Sequence, residues 1–159
     1  MIKLRSANKN DISFCLSIRN DKKNHKYFYS TKKITKKEQK IFIEKEKYFY
    51  IIEKDKKKIG TISLYNIENK MAEWGRFFVL EEYRNSLIPI IAEIKLLQIG
   101  FDIVDLMYCN TKINNINVWK MHEKIGFKTI FKTGENILQE IRREYFTPFT
   151  NKVIQKYLC

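Results

Sequence analysis

The sequence predicts a single α/β domain with a mixed, mostly antiparallel central sheet flanked by about four helices. The chain has 159 residues, of which 44% are hydrophobic and 14% aromatic, which suits one sizeable core and excludes a disordered chain. Runs with strand periodicity alternate with runs of helical spacing in the order β-α-α-β-β-β-α-β-α-β-β. No linker or internal repeat interrupts them, so residues 1–147 are expected to form one domain.

The first elements are predicted from alternation and helix caps. Residues 2–6 alternate as in a half-buried strand, and Asn10-Asp11 is expected to cap a helix over residues 12–19. Residues 22–33 form a polar loop with four aromatic side chains, which either cover a pocket or pack beneath the loop. Thr35 and Glu38 have capping-box spacing and start a second helix.

The centre of the chain predicts an antiparallel meander followed by a long helix. Residues 48–53, 58–65 and 71–79 are rich in β-branched and aromatic side chains, and short turns separate them. From residue 88 the apolar spacing becomes helical for about four turns, with Gly100 as the one weak position.

The last elements are a short strand over 105–110, a helix from Asn114-Asn115 to a C′ glycine at Gly126, and two strands over 127–132 and 137–146. Residues 148–159 are expected to form a tail with a short helix.

Net charge, cysteines and hydropathy limit the functional classes. The formal charge of +13 is spread over many short lysine groups, so it reflects either base composition, anionic small molecules or, least well supported, nucleic acid. Three cysteines without metal-ligand spacing predict reduced thiols and no metal. The sequence contains no membrane-length apolar run and no secretion signal, so a cytoplasmic protein is expected.

Residues 72–89 are predicted to hold a phosphate group. A strand ending at Val79 runs through a polar turn into the helix at residue 88, and a helix N-terminus presents unpaired N–H groups. Such a turn suits the pyrophosphate of an acyl-carrying cofactor.

Two segments resemble the GNAT superfamily of N-acetyltransferases. Residues 115–127, NINVWKMHEKIGF, are similar to its N-x-x-A-x-x-L-Y-E-K-x-G-F signature, and residues 79–84, VLEEYR, are similar to its V-x-P-E-Y-R segment. The order of elements also agrees with that family.

A narrower resemblance is to the family members that acetylate nucleotide-linked amino sugars, above all those of the pseudaminic-acid pathway of flagellin glycosylation. It is carried by Arg19-Asn20, by residues 28–34 and 41–43, and by Glu73-Trp74-Gly75, which is similar to their E-F-G on the central strand.

The resemblance implies transfer of an acetyl group from acetyl-CoA to an amine. Glu73 is expected to act as the base, desolvated by Trp74 and Phe77-Phe78; the alternative is an ordinary strand glutamate. Backbone N–H groups near Phe78 or Val79 are expected to polarise the thioester carbonyl.

His122 stands where the family usually has the tyrosine that protonates the leaving thiolate. It is predicted to act there as acid or base, and a packed, hydrogen-bonded histidine is the alternative. Asn115 matches an asparagine that binds the pantetheine side of the cofactor, and is otherwise the helix N-cap. Val118 replaces the usual alanine.

The cofactor loop departs from the family pattern R/Q-x-x-G-x-G/A. Arg84 fits the first position, but Leu87 and Pro89 occupy the two glycine positions. Backbone N–H groups of Asn85, Ser86, Leu87 and Ile88 are expected to form a cradle with fewer donors, assisted by Arg84 and by the Ser86 hydroxyl, and weaker CoA affinity follows.

The acceptor site is assigned to five residues that the narrower resemblance and their chemistry suggest. An arginine suits a diphosphate and aromatic rings suit base or sugar faces, whereas an ordinary helix C-terminus is the competing interpretation of the Arg-Asn pair. The residues are Arg19, Asn20, His25, Phe28 and Trp74.

The sequence therefore predicts an acetyl-CoA-dependent N-acetyltransferase for a nucleotide-linked amino sugar. The alternatives are an acetyltransferase for protein N-termini of the ribosomal-protein type and a non-catalytic binding module with a degenerate CoA loop. The sugar, the nucleotide and the oligomeric state are not identified, and a homo-oligomer is compatible with the sequence.

Overall fold

The computed structural model describes residues 1–146, which form a seven-stranded sheet with helices on both faces. The strands are β1 Ile2–Ser6, β2 Phe49–Lys54, β3 Lys57–Glu68, β4 Met71–Val79, β5 Leu106–Lys112, β6 Lys128–Lys132 and β7 Asn136–Arg142. The helices are α1 Ile12–Asn20, α2 Lys36–Lys45, α3 Glu81–Arg84, α4 Ile88–Phe101 and α5 Ile116–Ile125, with 3-10 turns at Lys9–Asp11 and Lys22–Tyr27. The predicted tail, residues 148–159, lies outside the described residues.

The sheet has the order β1-β2-β3-β4-β5-β7-β6. All neighbours are antiparallel except β4 and β5, which are parallel. The predicted class, one α/β domain with a mixed and mostly antiparallel sheet, is confirmed. Within residues 1–146 no helix is long and apolar enough to cross a bilayer.

Two apolar layers cover the two faces of the sheet. The larger one lies under α4 and includes Leu64, Trp74 and Met107, all almost completely buried. The smaller one lies under α1 and α2 and includes Cys15 and Ile51. Since side chains alternate along a strand, β4 directs its even residues Ala72 and Trp74 toward α4 and Glu73 toward the opposite face.

β4 and β5 pair over only three residues and then diverge. The pairs run from Met71 with Leu106 to Glu73 with Tyr108. Beyond this point a bulge at Arg76, whose φ is 47°, bends β4, and two residues of β4 oppose one of β3. The Thr61 hydroxyl donates to the Arg76 carbonyl oxygen at 3.1 Å and holds the bulge. The remainder of β4 is thus left with one free edge.

Several predicted boundaries were wrong. Asp11 precedes α1 without a side-chain cap, because its carboxylate binds Arg5, Lys58 and the Asn8 amide instead. The polar turn after β4 contains the short helix α3. The last strand ends at Arg142, and residues 143–146 are helical.

Candidate active site

Glu73 lies at the last paired position before β4 and β5 separate. Both of its carboxylate oxygens accept hydrogen bonds from the end of β3: the Tyr65 hydroxyl donates to Oε1 at 3.1 Å and the Asn66 amide donates to Oε2 at 2.8 Å. The side chain is half-buried, so the carboxylate is fixed while part of it stays accessible.

The charge of the Glu73 carboxylate affects three nearby tyrosines. Burial and the charge of Glu73 raise the pKa of Tyr29, Tyr65 and Tyr108, so all three are neutral phenols at physiological pH. Beside them, an open groove of about 360 Å³ is lined by Asn66, Ile67, Glu68, Asn69, Met71 and Tyr108. The face of the sheet that carries Glu73 therefore offers a carboxylate, phenol hydroxyls and a groove.

The structure does not bring Trp74 and His122 to this face. Trp74 is 2% exposed and its ring lies 5.1 Å from the His122 ring and 6.0 Å from the Phe127 ring, between β4 and α5. Desolvation of Glu73 by Trp74, as expected from the sequence, is therefore wrong: the indole lies on the opposite side of the strand. Phe77 packs with Trp74.

His122 is 1% exposed and lies in the core. Its Nδ1 is 2.9 Å from Gln139 Oε1, and its Nε2 is 3.8 Å from Glu93 Oε2. Burial lowers the pKa of His122 to about 4, against a hydrogen bond to Gln139 that raises it. The imidazole is therefore neutral at pH 7, and this position favours the packed, hydrogen-bonded alternative over an imidazolium acid.

Arg84 is folded back onto the end of β4. Its Nε donates to the Val79 carbonyl oxygen at 2.7 Å and its Nη1 donates to the Tyr27 hydroxyl at 2.8 Å. The guanidinium carbon lies 4.8 Å from the centre of the Phe78 ring. Arg84 thus lies beside the two residues predicted to contact the thioester, and its contacts link the cofactor loop to the loop after α1.

The turn between α3 and α4 uses part of its own hydrogen-bonding capacity. The Ser86 hydroxyl donates to the Tyr83 carbonyl oxygen at 2.6 Å and accepts from the Ile88 amide at 3.2 Å. Pro89 has no N–H group. Of the four predicted backbone donors, Ile88 is therefore engaged internally, while Asn85, Ser86 and Leu87 are exposed at the start of a 14-residue helix. The cradle fits a pyrophosphate by position but not by glycine content.

The acceptor residues on α1 and the following loop have different surroundings. Arg19 lies 4.5 Å over the Phe28 ring, which in turn lies 5.9 Å from Phe78, so these side chains line the end of β4. The Asn20 amide pins the loop instead, donating to the Ile34 carbonyl oxygen and accepting from the Ile34 amide. His25 is half-buried, and its carbonyl oxygen accepts from the Phe28 amide.

Asn115 begins α5 without a side-chain capping hydrogen bond. Its backbone carbonyl accepts from the Val118 amide at 3.1 Å. The amide side chain is therefore not used for the local role that the sequence offered as an alternative.

The sequence analysis does not name four residues that lie beside the predicted site residues. They are Tyr65, Asn66, Tyr108 and Lys112. Lys112 donates to the carbonyl oxygens of Lys26 and Phe28 at 3.4 and 3.3 Å, and so connects β5 to the loop after α1. The predicted hairpin between β3 and β4 already brings the end of β3 close to Glu73. Counting back from the turn does not place Tyr65 opposite Glu73, because the register is irregular between Tyr65 and Glu68.

Comparisons with known proteins agree on one family. The model of the acetyltransferase (GNAT) domain matches residues 2–128. Comparison with curated proteins gives no significant match.

Within residues 1–146 no group of three or more His, Cys, Asp or Glu side chains is placed to hold a metal ion.

Solved structures share the fold at low sequence identity. The chain is similar to apo FdhC, a nucleotide-linked sugar GNAT, at 22% identity and a TM-score of 0.83, covering 97% of this chain and 93% of that one. Spermidine N-acetyltransferase from Vibrio cholerae, in complex with CoA and spermine, has 17% identity and a TM-score of 0.80 over 91% and 97%. Ribosomal-protein-alanine N-acetyltransferase from Brucella melitensis has 16% identity and a TM-score of 0.76 over 88% and 99%.

The family model covers most of the chain, and the strand divergence beside Glu73 lies within the matched residues. The chain belongs to the GNAT acetyltransferase family and is an N-acetyltransferase.

Proposed function

We propose that this enzyme uses acetyl-CoA to acetylate the amino group of a nucleotide-linked amino sugar. The observation that carries the chemistry is the position of Glu73, a half-buried carboxylate held at the point where β4 and β5 diverge. A carboxylate at this point can take a proton from an amine that approaches the open edge of β4.

We assign each step of the acetyl transfer to residues of this chain. Acetyl-CoA supplies an acetyl group activated as a thioester. Glu73 removes a proton from the acceptor ammonium, directly or through one water, because an ammonium has no lone pair with which to attack. The backbone N–H of Val79 polarises the acyl carbonyl from the free edge of β4; the Leu80 N–H bonds to Ile59 of β3, and since amide directions alternate along a strand, the Phe78 N–H also faces β3. One such donor is typically worth about 3 kcal/mol of barrier.

The cofactor is held by the turn before α4 together with Asn115. Backbone amides of Asn85, Ser86 and Leu87 lie at the helix N-terminus, which favours a pyrophosphate. Arg84 reaches the same anion when it exchanges its Tyr27 contact for a phosphate oxygen. Asn115 has an uncommitted amide for the pantetheine arm.

Protonation of the leaving thiolate by His122 stays a prediction, and its surroundings argue against it. Both ring nitrogens face core groups, and the imidazole does not carry a second proton at pH 7. We therefore assign only the deprotonation of the acceptor to a side chain, Glu73. When the new C–N bond has formed and the C–S bond breaks, the CoA thiolate takes up the second proton that the attacking nitrogen loses, directly or through water.

Charge supports an anionic acceptor. Residues 22–40 contain eight lysines (positions 22, 23, 26, 32, 33, 36, 37 and 40) and one acid, Glu38, and this segment borders the Arg19–Phe28 pair. A diphosphate is attracted to such a rim and an aromatic face suits a base or a sugar. A polycation such as a polyamine is repelled by it.

The test is CoA thiol release with a panel of acceptors. Nucleotide-linked amino sugars should give turnover, whereas spermidine and an alanine-terminated peptide should not. Glu73→Gln should lower turnover at pH 7 by about a hundredfold or more, with Glu44→Gln on the surface of α2 as the control. Turnover with the peptide alone would replace the sugar acceptor by a protein N-terminus. Absence of acetyl-CoA binding in calorimetry would favour a binding module.

A further inference from the structure

The side chains that hold Glu73 come from two consecutive residues, which is unusual for a strand. Side chains of neighbouring strand residues normally point to opposite faces of the sheet. Asn66 has a φ of 49°, in the left-handed region, and its amide therefore turns back to the same carboxylate that Tyr65 contacts. Asparagine adopts the left-handed conformation more readily than most non-glycine residues, so this position suits Asn66.

Tyr65 is itself held in place from β4. The Arg76 guanidinium lies 4.2 Å over the Tyr65 ring and donates to Glu46 at 2.8 Å on its other side. A Cβ at Gly75 would come within 2.7 Å of the Tyr65 hydroxyl oxygen. The absence of a side chain at Gly75 therefore provides the space through which the hydroxyl reaches Glu73.

We propose that Tyr65 and Asn66 are positioning residues for the catalytic base, that they fix the two carboxylate oxygens of Glu73 toward the acceptor amine, and that Gly75 is required for this arrangement. The inference rests on the proposed role of Glu73. Donors on both oxygens stabilise the ionised carboxylate and limit its rotation.

Several titratable groups face the surroundings of Glu73. Tyr108 on β5 and Tyr29 on the loop after α1 interact with it only electrostatically, Cys109 is buried on the far side of β5, and Glu68 acts on Tyr108 as well. Burial and the nearby carboxylate raise the pKa of Tyr65, which therefore remains a donor throughout the working pH range. Arg76 is a cation stacked on the Tyr65 ring.

The test measures the carboxyl ¹³C resonance of Glu73 at pH 7 in glutamate-labelled protein, with the signal assigned by its loss in Glu73→Gln. Tyr65→Phe and Asn66→Gly each remove one donor, and Asn66→Gly also places a glycine at the left-handed position. Each should shift the Glu73 carboxyl resonance, because the carboxylate loses one hydrogen bond. Tyr108→Phe, which removes a neighbouring hydroxyl that forms no hydrogen bond to Glu73, should leave the resonance unchanged.

Kinetics supply the second measurement, with the panel acceptor that turns over fastest. Tyr65→Phe and Asn66→Gly should lower kcat about tenfold, with KM for acetyl-CoA unchanged. Gly75→Ala should reproduce the Tyr65→Phe effect.

The results separate this inference from the proposed function. An unchanged Glu73 resonance in both donor variants, or a shifted resonance with unchanged kcat, overturns the positioning role while Glu73→Gln remains inactive. If Glu73→Gln is fully active, the proposed function fails whatever the NMR measurement shows. Should Tyr65→Phe fold poorly, Asn66→Gly, at an exposed position, carries the same test.

Discussion

Glu93 and His122 face each other inside the core, with 3.8 Å between Glu93 Oε2 and His122 Nε2. Both side chains are almost completely buried, and neither carboxylate oxygen of Glu93 has a hydrogen-bond partner among the described residues. Burial raises the pKa of Glu93 well above 4.5 and lowers that of His122 to about 4. The pair is therefore a neutral acid beside a neutral imidazole and not an ion pair, since burying two charges is costly.

The hydrogen bonds of Gln139 settle which nitrogen of His122 carries the proton. The Gln139 amide nitrogen donates to the Trp119 carbonyl oxygen at 3.0 Å, so its oxygen faces His122 Nδ1. Nδ1 must then be protonated, which leaves Nε2 as an acceptor directed at the protonated Glu93. Donor and acceptor are complementary at this contact.

The first prediction concerns stability against pH in Glu93→Gln. Between pH 4.5 and 6.5 the folded pair holds one proton, on Glu93, and the unfolded pair also holds one, on His122, so the pair contributes no slope. Above pH 6.5 the unfolded histidine loses its proton while folded Glu93 keeps it. The contribution of this pair to the free energy of unfolding therefore falls by about 1.4 kcal/mol per pH unit in the wild type.

Glu93→Gln removes that loss. Its free energy of unfolding, from urea titrations, should exceed that of the wild type by an amount that grows with pH above 6.5. Below pH 6.5 the variant should lose stability until about pH 4, because only the unfolded histidine is protonated there. Glu44→Gln on the surface of α2 is the control. A constant difference from pH 6.5 to 9 would mean that folded Glu93 does not retain its proton.

The second prediction concerns Asp11, which is fully buried and binds Arg5 and Lys58. Burial alone would raise the pKa of Asp11, but hydrogen bonds from these two cations lower it to about 2 from 3.8. The stabilisation is thus present above pH 3.8 and is lost as the pH falls toward 2. Asp11→Asn should cost about 2 kcal/mol at pH 7, and thermal melts should show this difference shrinking below pH 3.8. A difference that is independent of pH would assign the cost to packing.

Local signals in the sequence predicted most elements of this fold. The helix α5 is an example, because its apolar spacing and its C′ glycine both survive in the structure: Gly126 has a φ of 111° and closes the helix. The strands β2 to β4 likewise follow from their composition and from two short turns. Such signals involve residues close together in the chain, where propensity and capping dominate.

The details of the site depend on contacts that are distant in sequence. Asn66 and Arg76 both adopt left-handed backbones, but only asparagine favours this conformation, so residue type indicates the turn at Asn66 and not the bulge at Arg76. The position of His122 on its helix was predictable, but its burial depends on which face of α5 meets Glu93 on α4. Sequence placed Trp74 beside Glu73 along the chain, and strand alternation placed them on opposite faces of the sheet.

The third prediction concerns the link between Arg84 and Tyr27. This exposed hydrogen bond competes with a cofactor phosphate for the same guanidinium. Tyr27→Phe keeps the ring against Arg84 but removes the hydroxyl, so it should tighten CoA binding about two- to fivefold in calorimetry. Arg84→Ala should weaken CoA binding more than tenfold. Unchanged affinity in Arg84→Ala would limit Arg84 to its contact with Val79.

The last prediction concerns the spacing of β3 and β4 at the expected thioester position. A Cβ at Gly60 would lie 2.2 Å from the Phe78 carbonyl oxygen, a backbone atom that cannot move without shifting β4. Gly60→Ala should therefore destabilise the protein by about 3 kcal/mol in urea unfolding and also weaken acetyl-CoA binding. Gly134→Ala is the matched control, because a Cβ there meets nothing within 4 Å, and it should change stability by less than about 0.5 kcal/mol. If Gly60→Ala were as stable as Gly134→Ala, β4 would have room to move away from β3 at Phe78. The carbonyl-polarising amide at Val79 would then not be held rigidly.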